Sequence, residues 1–372
     1  MRTRSALLYA LVALVFAAAL AGCKKDTGPQ ADTGGGTTTA TTPGGNSHAA
    51  VTDTATPPDA PTFKVITNGI SPFWDAMGKG LDAGKSEVHV KGDWSAPSPA
   101  ENNAQVKVFN DAVSQKVNGI AVSVIEADAF AKTIDDAIAS GIPVITFDSD
   151  SDKSKRLAYL GTNNFQAGRT AGLEAAKLFP NGGKLVAFVG NMGAQNARDR
   201  YNGFKDGLKG SKVEFIAEPF EDNKDKGKAR KNVEDAITRF QTQGLNGLVG
   251  LYSYNGPAIV GAVTAQNLRD KMKIICFDGE PETLKNLDKG LVDLTVVQKP
   301  YEFGRLSIKL LNAIYKDKGI DAALTELKPE LEALGMKVDI PKHNVDTGVD
   351  VITPANAKPF IEKLKEKGLE ST

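Results

Sequence analysis

Cysteine and histidine are scarce in this 372-residue chain, which has two of the first, Cys23 and Cys276, and three of the second. The histidines, His48, His89 and His343, are scattered over segments of different character, which provides neither a metal-ligand spacing nor an acid–base pair. An excess of one charge is also missing. Lys plus Arg number 45 and Asp plus Glu number 45, so the chain lacks the basic excess of a nucleic-acid binder. Gly190 to Gly193 does not spell GxGxxG, the fingerprint of a dinucleotide site. The run Asp148-Ser149-Asp150-Ser151-Asp152 is rich in carboxylates, and Asp222 adds another elsewhere, yet it lacks the glycine and the distal glutamate of an EF-hand calcium loop. No metal and no cofactor are expected.

What the chain does have begins at its N-terminus. Arg2 and Arg4 precede an apolar run from Ala6 to Ala19, too short to span a bilayer comfortably and of the length of a signal h-region. The next residues, Leu20-Ala21-Gly22-Cys23, resemble the bacterial lipobox, in which small residues fit the signal peptidase and the thiol carries lipid. The expectation is a signal peptide over 1–22, lipid on Cys23, and an exported chain held at the outer face of a bacterial membrane. Losing Arg2 and Arg4 leaves the remainder slightly acidic. With Cys23 lipidated, Cys276 has no disulfide partner, and its place in the apolar run Lys273 to Phe277 makes it a buried strand residue. From Lys24 to about Pro61 the chain is mostly Gly, Thr, Ala, Pro, Ser and Asp, including Gly34 to Gly36 and Thr37 to Thr39. Such a stretch buries too little apolar surface to offset its ordering entropy and is expected to be a disordered tether over 23–61.

From Phe63 onward short apolar runs alternate with amphipathic stretches. Strands are expected at Phe63 to Thr67, Val88 to Gly92, Gly119 to Val124, Pro143 to Phe147, Leu157 to Leu160, Lys184 to Gly190, Val213 to Ala217, Gly247 to Tyr252, Lys273 to Phe277 and Leu291 to Gln298. Helices between them, such as Phe73 to Lys85, Gln166 to Phe179 and Ala197 to Leu208, make repeated strand–helix–strand units, which wind into parallel sheets. The pattern restarts near Phe165. The expected class is α/β, two doubly wound, Rossmann-like parallel-sheet lobes with a cleft between them.

Ligands of open parallel sheets bind beyond the carboxyl ends of the strands. The residues found there are Thr67, Asn68 and Ser71-Pro72-Phe73-Trp74 after the first strand, Asp148, Ser149 and Asp150 after the fourth, a loop leading to Arg198 and Arg200 after the sixth, then Tyr252-Ser253-Tyr254-Asn255, Asp278-Gly279 and Gln298. The set combines aromatics, carboxylates, amides and guanidinium without a nucleophile–base pair, which suits a neutral polyhydroxylated ligand. Carboxylates accept from sugar hydroxyls, Arg and Asn donate to others, and aromatic faces cover the C–H surface of the ring. Phe73 and Trp74 are then stacking platforms, Asp148 and Asp278 acceptors, and Arg198, Asn255 and Gln298 fix the remaining oxygens.

Each of these residues also has a structural reading. Phe73 and Trp74 can open a core helix, in which case consecutive positions face apart and at most one is core. Asp148 and Asp278 can be helix N-caps. Arg198 and Arg200 can be solvated, with Arg198 the better candidate for the cleft.

These segments together resemble the type I periplasmic sugar-binding proteins related to the ribose-binding protein, which serve ABC importers. The resemblance runs from Phe63 to about Thr353 through Ser71-Pro72-Phe73-Trp74, Gly141 to Asp148, Gly161-Thr162-Asn163-Asn164, Ala197 to Phe204, Asn255-Gly256-Pro257-Ala258, Phe277-Asp278-Gly279 and Val297-Gln298. It implies ligand contacts at Phe73, Trp74, Asp148, Arg198, Asn255, Asp278 and Gln298, with Thr67, Asn68, Ser123, Asp150, Phe220 and Tyr254 as further candidates. It also implies a three-segment hinge near Thr162 to Asn164, Gln298 to Lys299 and Asp346 to Thr347. The N-terminal lobe is then 62–162 with 299–346, and the C-terminal lobe 163–298 with 347–372. Ser71 and Ser123 stand where that family has asparagine and Ser149 where it has arginine, departures that separate this chain from the ribose pattern. Asp321 to Gly335, rich in Leu and Glu, reads as a helical insertion.

The expected function is capture of a monosaccharide, a ribose- or xylose-like pentose or related sugar, and its delivery by a monomeric, non-enzymatic receptor to an ABC permease. The alternative keeps the fold and presents the ligand to a chemoreceptor or histidine kinase. A hydrolase using Asp148 and Asp278 as paired carboxylates is the enzymatic rival.

Overall fold

Two sheets account for nearly all of the apolar runs. The computed structural model describes residues 56–317 and 319–372, so the signal sequence, Cys23 and the tether up to residue 55 lie outside the described residues. The first sheet starts with β1 (Thr62–Ile66), β2 (Lys91–Ser95), β3 (Gly119–Val122), β4 (Val144–Phe147) and β5 (Tyr159–Gly161), interleaved with helices α1 (Pro72–Val88), α2 (Asn102–Ser114) and α3 (Ala127–Ala139). Helix α4 (Asn164–Leu178) leads into the second set: β6 (Gly183–Val189), α5 (Gln195–Gly207), β7 (Val213–Phe215), β8 (Phe220–Glu221), α6 (Lys226–Phe240), β9 (Gly247–Gly250), α7 (Asn255–Ala265), β10 (Lys273–Phe277), α8 (Pro281–Asp288) and β11 (Leu294–Val297). The chain then returns through α9 (Pro300–Asp317), α10 (Ile320–Ala333), β12 (Lys337–Asp339) and β13 (Asn344–Asp346), and ends with β14 (Asp350–Ile352) and α11 (Ala357–Glu366).

The sheets are built alike. One runs β12-β13-β5-β4-β3-β1-β2, the other β14-β11-β10-β9-β6-β7 with β8 also paired to β6. In the first, β1 lies between β2 and β3, with β4 and β5 following in order; in the second, β6 lies between β7 and β9, with β10 and β11 following in order. Pairing is parallel except at β12–β13 and β11–β14, where late segments add antiparallel strands that alternation alone did not predict. Both faces of each sheet are covered, as parallel strands require: the first by clusters around Phe303 and Phe109, the second by clusters around Phe188 and Phe204.

Several expected boundaries move. The strand expected at Val88 to Gly92 starts later, because α1 continues to Val88 and ends on His89 in a left-handed conformation (φ 53°) whose N–H bonds the Lys85 carbonyl. The segment after Asp321 is helical as expected. Helix α10 buries Ala323, Leu324, Leu327 and Leu331 in the first lobe's core, and its Glu330 accepts from Arg305 and Lys309 of α9, which also hold Glu87 of α1. Cys276 is fully buried in β10, and burial pushes its thiol up to about 12, which leaves it an inert core residue.

Two helix pairs make backbone-to-backbone approaches. A Cβ on Gly80 of α1 would collide with the Tyr301 carbonyl of α9, and one on Gly168 of α4 with the Arg200 carbonyl of α5. The second approach sets the depth of α5, and through it the site. At the other end of the chain, residues past α11 reach across both sheets' helices. Leu369 is buried with Ala76 of α1 and Leu284 of α8, Ser371 Oγ donates to the Pro72 carbonyl (2.8 Å), and the Thr372 N–H donates to the Gly279 carbonyl (3.1 Å).

Candidate functional site

The strand ends of the two sheets face one another across a cavity of about 120 Å³. The first sheet contributes Asn68 after β1, Phe73 and Trp74 in the first turn of α1, and Asp148 after β4. The second contributes Asn196 and Arg200 of α5, Lys224 after β8, Tyr252 and Tyr254 after β9, Asp278 after β10 and Gln298 after β11. This is the placement that open parallel sheets impose, since the loops leaving the carboxyl ends are the parts free to vary.

Pro72 opens α1 at a position where its missing N–H costs nothing. Phe73 and Trp74 are 5 % and 4 % exposed, packed edge to face (4.7 Å between ring centroids), with Trp74 also against Phe147 and Phe73 against Phe303. Both therefore belong to the core and both line the cavity. The expectation that only one could be core is corrected by their place in the helix: first-turn side chains lean toward the N-terminus, past the helix end and into the cavity.

Asp148 and Asp278 are not N-caps. Each follows a strand in left-handed backbone, φ 57° and 63°, and Glu280 takes the cap position of α8. Asp148 accepts from Ser123 Oγ (2.7 Å) and from Asn68 Nδ2 (3.4 Å); burial raises its pKa, with the Arg200 charge and the Ser123 bond opposing. Asp278 accepts from Gln298 Nε2 (2.9 Å), and Arg200 Nη1 stands 3.8 Å from its second oxygen. Burial pushes this carboxyl up to about 6 in spite of both partners.

Arg200, not Arg198, enters the cavity. Arg198 Nη1 is spent on the carbonyls of Met192 and Gly193 in the loop before α5. Two residues on, about 200° around the helix, Arg200 is 1 % exposed: its Nε donates to Asn164 Oδ1 (2.8 Å), its Nη1 to the Leu251 carbonyl (2.9 Å), and the guanidinium lies 5.0 Å from the Phe277 ring centroid. The signal was in the sequence. Asn196, Arg200, Gly203 and Gly207 share the i, i+4, i+7, i+11 spacing of one helix face, and Arg198 stands off it.

Other candidates stand behind the cavity wall. Asn255 is fully buried, accepting from the Tyr252 N–H and donating to Asp222, which also receives the Tyr254 hydroxyl (2.5 Å). Burial pushes Asp222 up to about 6 against these bonds. Thr67 turns its hydroxyl to the Gly69 carbonyl, Ser123 holds Asp148, and Asp150 is taken by Arg156 in a two-point pair (2.6 and 2.7 Å). Phe220 packs on Phe188 and Phe240 in the core. The reading from sequence placed Tyr252 at a strand end without naming it a contact, and it did not include Lys224 or Asn196. Lys224 sits between acidic residues in a turn where a surface charge is the usual reading, and only the meeting of the sheets puts it in the cavity.

Residues 63–319 match the periplasmic binding protein domain family. The chain belongs to that family. Among curated relatives, the xylose/arabinose-binding protein XylF of Sulfolobus acidocaldarius is 24 % identical over 333 residues, 84 % of this chain and 76 % of that one. The ribose import binding protein RbsB of Bacillus subtilis is 24 % identical over 73 % of this chain and 88 % of its own length. A carbohydrate transporter solute binding protein from Agrobacterium radiobacter, solved with D-arabinose, superposes with a TM-score of 0.70 at 28 % identity, covering 83 % of this chain and 99 % of that one. An ABC transporter solute binding protein from Burkholderia graminis, also with D-arabinose, gives 0.68 at 29 % identity over 80 % and 96 %. Membership makes this periplasmic binding protein an exported, envelope-associated one. Among the described residues no helix is long and apolar enough to cross a membrane.

Proposed function

We propose that this periplasmic binding protein captures a monosaccharide, a pentose or a closely related sugar, in the cavity between its sheets and delivers it to an ABC importer. One observation carries the reading. Arg200 Nη2 and Gln298 Oε1 are buried, belong to residues lining the cavity, and have no hydrogen-bond partner in the protein. A buried donor and a buried acceptor beside the Asp278 carboxylate match hydroxyls that both give and take a hydrogen bond, and leaving such atoms unpaired is costly. Phe73 and Trp74 supply the apolar faces for the ring, and the cavity's size suits one ring. Related sugar-import receptors among the relatives favour delivery to a permease over presentation to a sensor.

In this reading 62–162 with 299–346 form one lobe and 163–298 with 347–372 the other. The crossings near Thr162, Gln298 and Asp346 act as hinges that close when one sugar engages both lobes. Lipid on Cys23 and the tether up to about Pro61 hold the monomeric receptor beside its membrane partner. A thermal-shift panel of pentoses, hexoses, deoxysugars and polyols tests the function, because a ligand specific for the folded state raises its apparent stability. A rise confined to one sugar group supports it, and no response to any sugar refutes it. Globomycin-sensitive processing and loss of labelled fatty acid in Cys23→Ser test the anchor.

A further inference from the structure

Where the two halves of the site meet, the protein makes a bond of its own. After β8 the chain passes through two consecutive left-handed residues, Asn223 (φ 55°) and Lys224 (φ 64°). Non-glycine residues adopt this backbone at a cost of about 1 kcal/mol or more each, so the surrounding structure must hold it. It does. The Asn223 N–H bonds the Gly190 carbonyl (2.7 Å), the Lys224 N–H bonds Asp222 Oδ1 (2.7 Å), and Asp225 caps α6 through Lys228. The turn aims the Lys224 stem past Gly69 of the first lobe, and Nζ donates to the Asn68 carbonyl at 2.5 Å. Asn68 in turn is fixed by Ser123 and Asp148.

We propose that Lys224 is a latch across the cleft, an ammonium of the second lobe bonding a backbone carbonyl of the first and so stabilising the closed arrangement whichever sugar is inside. A main-chain carbonyl is a partner that no change of ligand removes. Asp148 and Asp222 face the ammonium from the two lobes and favour its charged form, while withdrawal from water lowers its pKa to about 8. The latch deepens the sugar-capture reading and rests on it for the binding arm of the test alone. By population arithmetic, a contact that favours the closed form strengthens every ligand by the same factor.

The test compares the parent with Lys224→Met, which keeps the stem and removes the donor, and Lys224→Arg, which keeps a charged donor. Small-angle scattering of the sugar-free proteins is expected to show Lys224→Met more open than the parent, with Lys224→Arg closer to it. Stopped-flow dissociation of each sugar that the parent binds is expected to speed up by one common factor, on the order of tenfold for about 1.4 kcal/mol, leaving the preference among sugars unchanged. Equal compactness of Lys224→Met and parent overturns the latch. So does a loss selective for particular epimers, which would make Lys224 a direct sugar contact. If the parent responds to no sugar, the sugar reading fails and scattering alone decides the latch.

Discussion

Asp148 and Asp278 are counterparts across the cleft: each directly follows a phenylalanine that ends a central parallel strand, each is 3 % exposed, and each has left-handed backbone. Aspartate tolerates that conformation better than most residues. The repeat of a strand order thus repeats a carboxylate, and the cavity receives one from each lobe.

Asp278 should make sugar binding sensitive to acid. Asp278 and Asp222 titrate near 6 in the fold, above the ordinary range of aspartate, so the folded state takes up protons more readily than the unfolded chain. Their stabilising contribution is complete below the unfolded value and is lost as pH rises through about 6. Sugar-free protein should therefore gain stability from these groups on going from about pH 7.5 to pH 5. A hydroxyl donating to the Asp278 carboxylate selects the ionised form, so affinity should fall over the same interval, by up to roughly tenfold. Calorimetric titration at both pH values checks this, and a constant Kd would remove Asp278 from the binding step.

Arg200 and Arg198 separate the cavity from its supporting loop. Arg200→Ala should weaken sugar binding by about 2–5 kcal/mol, at least about thirty-fold in Kd. Arg198→Ala, which loses two carbonyl bonds outside the cavity, should stay within about threefold of the parent. The reverse order in calorimetry would refute the placement of Arg200 as the contact.

Trp74 and Trp94 are the chain's two tryptophans, and only Trp74 lines the cavity. Sugar binding should change the emission of the parent and of Trp94→Phe, and leave that of Trp74→Phe nearly unaltered. A signal surviving in Trp74→Phe would place the ring away from the ligand.

The α4–α5 contact is a remote lever on the same site. Gly168→Ala forces a methyl against the Arg200 carbonyl, and overpacking of this kind costs about 1–3 kcal/mol. Urea unfolding should show that loss. Since α5 carries Arg200 and Asn164 of α4 orients it, sugar affinity should fall too. Unchanged stability would mean that the helices separate freely.

Much of this was legible in the residues taken in order. Alternation of apolar strands and amphipathic helices, with the restart near Phe165, specified two α/β lobes, because strand and helix periods are local properties. The strand ends pointed to Phe73, Trp74, Asp148, Asp278 and Gln298, because parallel sheets place their loops at one end. The late antiparallel strands β12 and β14 were not legible, since short edge segments carry little periodic signal.

By itself the sequence determined the lobes, the lipobox-like start and the chemical character of the cavity, all of which follow from composition and short-range pattern. Only the tertiary structure decided that Asn255 stands behind the cavity, that Phe73 and Trp74 serve core and cavity together, and that Lys224 meets Asn68. Each of these depends on how closely one helix or lobe approaches another. That distance is set by packing between residues far apart in the chain, Gly168 against Arg200 and Gly69 beside Lys224, and no local pattern records it.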